Sequence, residues 1–311
     1  MATAVASRVS PAKGILGTLA VAVSVGRLHI VSIGALGALT FGWVFFDRRM
    51  PVVALAAAID WFLVNLLNRV VDIPEDEKNG IVGTSFVARH RSTITVVGFA
   101  LLVGTLVGGH LLAPALLPYR VGFHALGLAY NWRLLPGKRR IKQLYFWKNT
   151  ASAVGFVLTV FAYPLVHGLS LGASPRTSPL GILLVGAFFV LFELSYEVFY
   201  DLRDAPGDRA EGIATYAVVH GERGALRIAT ALVVASLVVV VAGYVAGAVP
   251  WRVVAMVAAP LVQLATSARA VRRLDRGEPP VSANDCITLT WIGAAMFVAY
   301  NLWAFFGLPG V

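Results

Sequence analysis

The sequence predicts an all-helical protein that crosses a membrane about nine times, and three observations carry that prediction. Of its 311 residues, 58% are hydrophobic and only 14% charged, with a mean hydropathy of +0.76; soluble domains average roughly 45–50% apolar and about 25% charged residues. The apolar residues gather into runs close to the ~20 needed to cross a bilayer. No run shows strand-like alternation, and an open sheet in lipid would leave backbone groups unpaired.

Residues 1–26 read as an N-terminal cytoplasmic or interfacial segment, and 27–311 as a single transmembrane domain. The apolar stretch 14–26 resembles a signal-peptide core in length, but its removal would turn the next run the wrong way for the charge pattern. Nine spans follow, at 28–46, 51–71, 92–110, 112–132, 147–168, 179–200, 225–248, 251–270 and 286–307. The second ends among acids and the fourth at Tyr130, ahead of a basic loop. The fifth opens on Lys148 and Asn149, and the sixth leads into a second acidic stretch. Asn284 and Asp285 read as a cap before the ninth, and the lone Cys286 as packing at its start, since free Cys is commonly buried. One cysteine excludes an internal disulfide and a Cys-cluster metal site.

The net charge of +10 could suggest nucleic acid, but the charges sit in short loops between apolar runs. With nine spans, 20 Lys and Arg fall on the side of the N-terminus and 5 on the other, with Arg69 left inside a helix end. That asymmetry places the basic side in the cytoplasm, with the plasma membrane of a prokaryotic cell as the expected location. The loops at 72–91 and 201–224 lie on that side, and loops of such length in a compact fold are usually functional.

Both loops are acidic. Asn68, Asp72 and Asp76 recur every four residues, a spacing that stacks side chains on one helix face. Pro74 biases Ile73 away from helical geometry, so the helix is expected to end there and leave Asp76 on a loop. Asp201, Asp204 and Asp208 also share a face, which Glu197 and Glu193 extend inward; Pro206 and Gly207 are expected to break that helix. Converging carboxylates repel one another and raise their own pKa values, and a divalent cation relieves this. Mg²⁺ binds through a few carboxylates plus substrate phosphates, so two such clusters suggest a diphosphate held between metal ions.

The paired motifs, with "RLHIVSIGALG" at 27–37, "LGLAYNWRLLPGKRRIKQLYFWKN" at 126–149 and "GDRAEGIATYAVVHGE" at 207–222, resemble the UbiA superfamily of intramembrane prenyltransferases. The resemblance implies nine helices around a central cavity and a prenyl diphosphate bound through Mg²⁺ by two aspartate motifs. It implies Asp72, Asp76, Asp201, Asp204 and Asp208 as metal ligands, with Asp72, Asp204, Tyr130 and Lys138 as catalytic residues. Asn68, Lys78, Arg139, Arg140, Lys142, Lys148 and Asn149 are implied at the diphosphate. Expected partners are a prenyl diphosphate donor, a small-molecule or lipid acceptor and membrane lipids, with no nucleic acid. Two departures stand out. "KNGIVGTSFVARHR" at 78–91 replaces the Arg-Thr-x-x-Arg-Pro run of many members that prenylate aromatic acids, and Arg69 stands where an Asp is usual. An aromatic acceptor is expected on family frequency; a glycerol or sugar phosphate, a tetrapyrrole and a cyclase-like reaction are alternatives.

Other polar positions have competing readings. Tyr130 can anchor at the interface or shield a cation. Ionisable residues within spans, such as Asp60 and Glu193, tend to be functional; Asp60 either approaches an acceptor pocket or faces a polar group on a neighbouring helix. His124 reads as a hydrogen-bonded packing residue. Outside the enzyme class, the same acids could line the path of a cation transporter, although transporter acids usually sit near the midplane.

Overall fold

A computed structural model describes residues 15–78, 80–210 and 212–307. Among them the chain is helical throughout: α1 Ile15–Val25, α2 Leu28–Phe46, α3 Pro51–Val71, α4 Ile73–Lys78, α5 Thr84–Arg89, α6 Arg91–Leu112, α7 Leu117–Asn131, α8 Trp147–Phe156, α9 Tyr163–Ser170, α10 Pro179–Ala210, α11 Tyr216–Val245, α12 Trp251–Val254, α13 Ala258–Asp275 and α14 Ala283–Phe306. A π-helical turn at Val157–Ala162 joins α8 to α9, and a 3₁₀ turn joins α12 to α13. The nine expected spans are therefore α2, α3, α6, α7, α8–α9, α10, α11, α12–α13 and α14. Eight of them are long and apolar enough to cross a bilayer. The remaining one, α7, has 15 residues, roughly 22 Å at 1.5 Å per residue. It starts five residues later than expected because Pro114 opens a separate 3₁₀ turn.

Neighbouring helices close a ring. α2 packs on α3, α3 on α7, α7 on α8, α8 on α10, α11 on α10 and α13, α13 on α14, and α14 returns to α2. α6 stands outside the ring, and only Gly98 and Leu102 of its residues are buried. At α2 and α3 the ring depends on a missing side chain. A Cβ on Gly34 would stand 2.4 Å from Trp61 Cδ1, so only glycine lets that indole lie against α2. Trp61 Nε1 then donates to Thr159 Oγ1 at 2.9 Å. The far end of the ring is filled by rings: Phe41 packs on Phe161 at 4.1 Å between centroids and edge-on to Phe189 at 5.2 Å. Such burial is the main favourable contribution of a packed core.

The two acidic segments depart from the expected local structure. α3 does end at Val71, but α4 restarts after the single residue Asp72, whose amide bonds to Asn68 O and whose carbonyl accepts from the Asp76 amide at 2.8 Å. Pro74 lies in the first turn of α4, where its missing N–H has no partner to lose. Asp76 is thus helical, not on a loop. Pro206 does not break α10 either, and the helix runs on to Ala210. Leu202 and Ala205 on that turn are buried, and packing on α11 holds the helix although proline removes one backbone hydrogen bond. α1, in the stretch 14–26, is too short to span. Its Val21 and Val25 pack with Val70 and Val87.

Candidate active site

The ring encloses a chamber of about 610 Å³ lined by α2, α3, α7, α8, α10, α13 and α14. Its inner walls are apolar and aromatic, with Trp61, Phe123, Phe156, Phe189, Phe192 and Phe297. At one end Asn68 and Asp76 face Asp201, Asp204, Lys148 and Tyr130 across it. The two acidic segments therefore meet, as their expected place on one side of the membrane allowed.

Each carboxylate stands beside a cation. Lys142 Nζ reaches Asp72 at 2.7 Å and Glu75 at 2.6 Å, and Arg140 bridges the same two acids at 3.2 and 2.9 Å. Arg69, 1% exposed, holds Asp76 at 2.5 Å. Across the chamber, Lys148 Nζ lies 2.8 Å from Asp201 and 3.1 Å from Asp208, and Asn149 Nδ2 donates to Asp201 at 2.9 Å. Arg203 forks onto its neighbour Asp204 at 2.8 and 2.7 Å while lying over the Tyr200 ring. Burial pushes the Asp72 carboxyl above the usual carboxylate range against the pull of Lys142, and does the same to Asp76 against Arg69. Burial acts upward on Glu75 too, but Lys142 and Arg140 together outweigh it and hold that carboxyl low.

The donor set suits a hard divalent cation. All its charged ligands are carboxylate oxygens, and the Asn68 Oδ1 is a buried oxygen without a partner. Among the described residues, no three acidic, His or Cys side chains converge into a ready-made ion cage. Mg²⁺ requires no such cage, since it binds through one or two carboxylates plus substrate phosphates and keeps several waters.

Not every expected site residue reaches this place: Asp72, Asp208, Arg140, Lys142 and Asn149 adjoin residues of the chamber but do not line it. Lys138 and Arg139 are exposed on the turn after α7, with Lys138 itself in left-handed backbone geometry at φ 56°. Leu135 and Arg139 pair their backbones there, so the turn carries both side chains outward and delivers Arg140 and Lys142 inward. The side chain of Lys78 lies outside the described residues. Asp60 does not line the chamber: it is 0% exposed, chelated by Arg120 and bonded by His124 at 2.9 Å and Tyr163 at 2.8 Å. His124 is thus the packing residue its position suggested. The cap of α14 is Ser282, with Asp285 completing a capping box three residues on, and Cys286 is buried.

Sequence reasoning missed Glu75 and Arg203. Glu75 lies between Asp72 and Asp76 but falls off their four-residue repeat. Arg203 looked like an orientation charge, and its i+1 position to Asp204 carries no helical signal. Arg27 was also missed; it adopts left-handed geometry at the α1–α2 junction and lines the chamber near Asn65.

A family model described as the UbiA prenyltransferase family matches residues 31–292. Digeranylgeranylglyceryl phosphate synthase of Methanopyrus kandleri is 30% identical over 138 residues, 43% of this chain and 50% of that protein; the match spans half the relative's length. Among solved structures, a UbiA homolog from Archaeoglobus fulgidus bound to DMAPP and Mg²⁺ superposes with a TM-score of 0.70 at 16% identity, covering 91% of this chain and 98% of that one. The same homolog bound to GPP and Mg²⁺ gives 0.68 at 16% identity, over 91% and 99%. A structure of digeranylgeranylglyceryl phosphate synthase gives 0.57 at 14% identity, over 92% and 96%. At these identities the structural likeness is one of fold. With most of its length matched by the family model, and with paired acidic helix ends meeting at a greasy chamber, the chain belongs to the UbiA prenyltransferase family.

Proposed function

We propose that the protein transfers a prenyl group from a prenyl diphosphate to an acceptor inside the membrane, with Mg²⁺ and with the chamber mouth facing the cytoplasm. The observation that carries this reading is the meeting of Asn68 and Asp76 with Asp201, Asp204 and Lys148 around one chamber whose other walls are apolar. A diphosphate fits the charged end and a prenyl chain the aromatic walls. The basic loops on the same side as the acids support the orientation.

Asp76, Asp201 and Asp204 would hold the metal, joined by Asp72 and Asp208 at the flanks. Bound there, Mg²⁺ supplies charge neutralisation of the leaving diphosphate. Lys148, Arg140 and Lys142 bind the diphosphate oxygens, and Asn149 keeps Asp201 oriented through its 2.9 Å bond. Fixed cations aimed where negative charge develops are a recurrent source of rate enhancement. The C1–O bond of the donor breaks with its electron pair on the diphosphate, the acceptor atom bonds to C1, and the acceptor loses a proton. Tyr130 presents its ring to the positive charge that develops at C1. Lys138, exposed on its turn, is left with an orienting charge.

An aromatic acceptor suits the aromatic chamber. A glyceryl phosphate acceptor is the second reading, favoured by the name of the Methanopyrus relative. Purified protein incubated with labelled geranyl diphosphate and a panel of both acceptor kinds tests the proposal. Release of diphosphate together with a prenylated product is expected with Mg²⁺ and not with EDTA. Inertness toward all prenyl diphosphates would refute it.

A further inference from the structure

The charged mouth accounts for the donor; the inner wall of α10 carries polar groups the donor does not use. Glu193 and Glu197 line the chamber one and two turns inward from Asp201. Glu197 lies four residues before Asp201, about 6 Å along the axis, and Glu193 eight residues before it, about 12 Å. Glu197 accepts a hydrogen bond from Ser152 at 2.9 Å. Glu193 faces the chamber with no hydrogen bond or ion pair among the described residues; Phe189, Phe192 and Phe297 line the same chamber. On α13, packed against α10, Gln263 is 0% exposed and also lines the chamber; its Nε2 donates to Ser195 at 2.9 Å, and its Oε1 has no partner among the described residues. The nearby hydroxyls are already engaged: Tyr196 and Thr290 bond each other at 2.5 Å, and Thr290 donates to Cys286 O.

The open atoms of this wall are thus the carboxyl oxygens of Glu193 and the Oε1 of Gln263, each able to accept a hydrogen bond. A buried polar group without a partner costs free energy, and more when charged, so a ligand that satisfies this wall brings donors. A carboxylate or a phosphate at the same depth would find no Lys or Arg on this wall to pair with, and would stand beside two carboxyl groups whose own ionisation it opposes. We infer that Glu193, with Gln263 held beside the same helix, is the acceptor-recognition element: it accepts a hydrogen bond from an uncharged O–H or N–H on the inner end of the acceptor and excludes acceptors whose inner end is anionic. An anionic group on an acceptor is then directed to the mouth, where Arg27, Arg69 and Lys148 lie. This inference rests on the prenyl-transfer reading for the identity of the ligand but not for the binding it requires.

The test uses the full-length protein in nanodiscs and the matched probes 2-naphthol and 2-naphthoate, which differ in a neutral donor versus an anionic acceptor. Their affinities are measured by calorimetry for wild type, Glu193→Gln, Glu193→Asp and Glu193→Leu. Wild type is expected to bind the naphthol at least about tenfold more tightly than the naphthoate. Glu193→Gln should narrow that gap about tenfold, the scale of one charged hydrogen bond, with partial recovery in Glu193→Asp. Thermal unfolding and Mg²⁺-dependent binding of geranyl diphosphate, measured on the same samples, report separately on folding and on the donor site. A gap unchanged in Glu193→Gln and Glu193→Leu, a preference for naphthoate, or binding of neither probe to wild type would overturn the assignment. Loss of geranyl diphosphate binding in wild type would instead strike the transferase reading.

Discussion

Asp60 and Glu193 are both acids within membrane-spanning helices, yet the fold treats them in opposite ways. Asp60 is 0% exposed, and Arg120, His124 and Tyr163 together satisfy both of its oxygens. Arg120 also donates to Thr105 O at 2.7 Å, which ties α3, α6, α7 and α9 into one knot outside the chamber. Glu193 faces the chamber with no polar partner among the described residues. The difference teaches that an ionisable residue in the membrane is a weak sign of function by itself. Whether the chain supplies its partner separates a structural acid from one that waits for a ligand.

The predictions that break or sharpen this contrast begin with two acids of the paired segments, Asp204 on the chamber and Asp72 beside it. Asp72→Ala and Asp204→Ala are each expected to lower the rate of prenyl transfer by about a thousandfold or more, the scale of losing a principal electrostatic element, while thermal unfolding changes little. Steady-state rates and melting curves on the same preparations check this, and turnover within tenfold of wild type in either variant would contradict it.

Asp60→Ala should do the reverse. It leaves the Arg120 guanidinium buried without its counter-charge, which costs about 3–5 kcal/mol. The expected outcome is a large fall in thermal stability or in yield of folded protein. In any fraction that folds, the KM for the donor stays near wild type. An Asp60→Ala protein as stable as wild type but inactive would reverse the assignment of the two acids.

Lys148→Ala comes next. Lys148 bridges Asp201 and Asp208, so its removal is expected to raise the KM for prenyl diphosphate about tenfold or more, the worth of a charged hydrogen bond. Lys148→Arg should recover part of the loss. Titration of donor against initial rate gives the answer, and an unchanged KM would remove Lys148 from the diphosphate site.

The smallest effect is expected at the exposed turn. Lys138→Ala and Arg139→Ala should change the rate less than about threefold, since neither side chain lines the chamber and single exposed charges contribute little. A loss comparable to that of Lys148→Ala would mean that the turn folds over the mouth during turnover.

The sequence made the architecture legible because length and apolarity in lipid leave few options. Spans, their order and the common side of both acidic segments follow from that alone. The spacing of Asn68, Asp72 and Asp76 and of Asp201, Asp204 and Asp208 marked the two acidic segments that the fold brings to one chamber. What escaped was local and tertiary. Pro74 and Pro206 carry a helix-breaking signal, but a first-turn position admits the one and packing on α11 overrides the other. Lys138, Arg139, Arg140 and Lys142 form one basic run in the sequence, and only the left-handed turn at Lys138 sorts the outward pair from the inward one. Asp60 and Glu193 look alike in sequence because their partners lie on other helices.

The central claim is that both acidic helix ends act on one metal-bound diphosphate. The most direct measurement is Mg²⁺-dependent binding of geranyl diphosphate to wild type, Asp72→Ala, Asp204→Ala and the double variant. A shared site predicts that either single change removes most of the Mg²⁺-dependent affinity and that the double change adds little, since coupled groups are not additive. Independent losses that sum in the double variant, or binding indifferent to Mg²⁺, would contradict it.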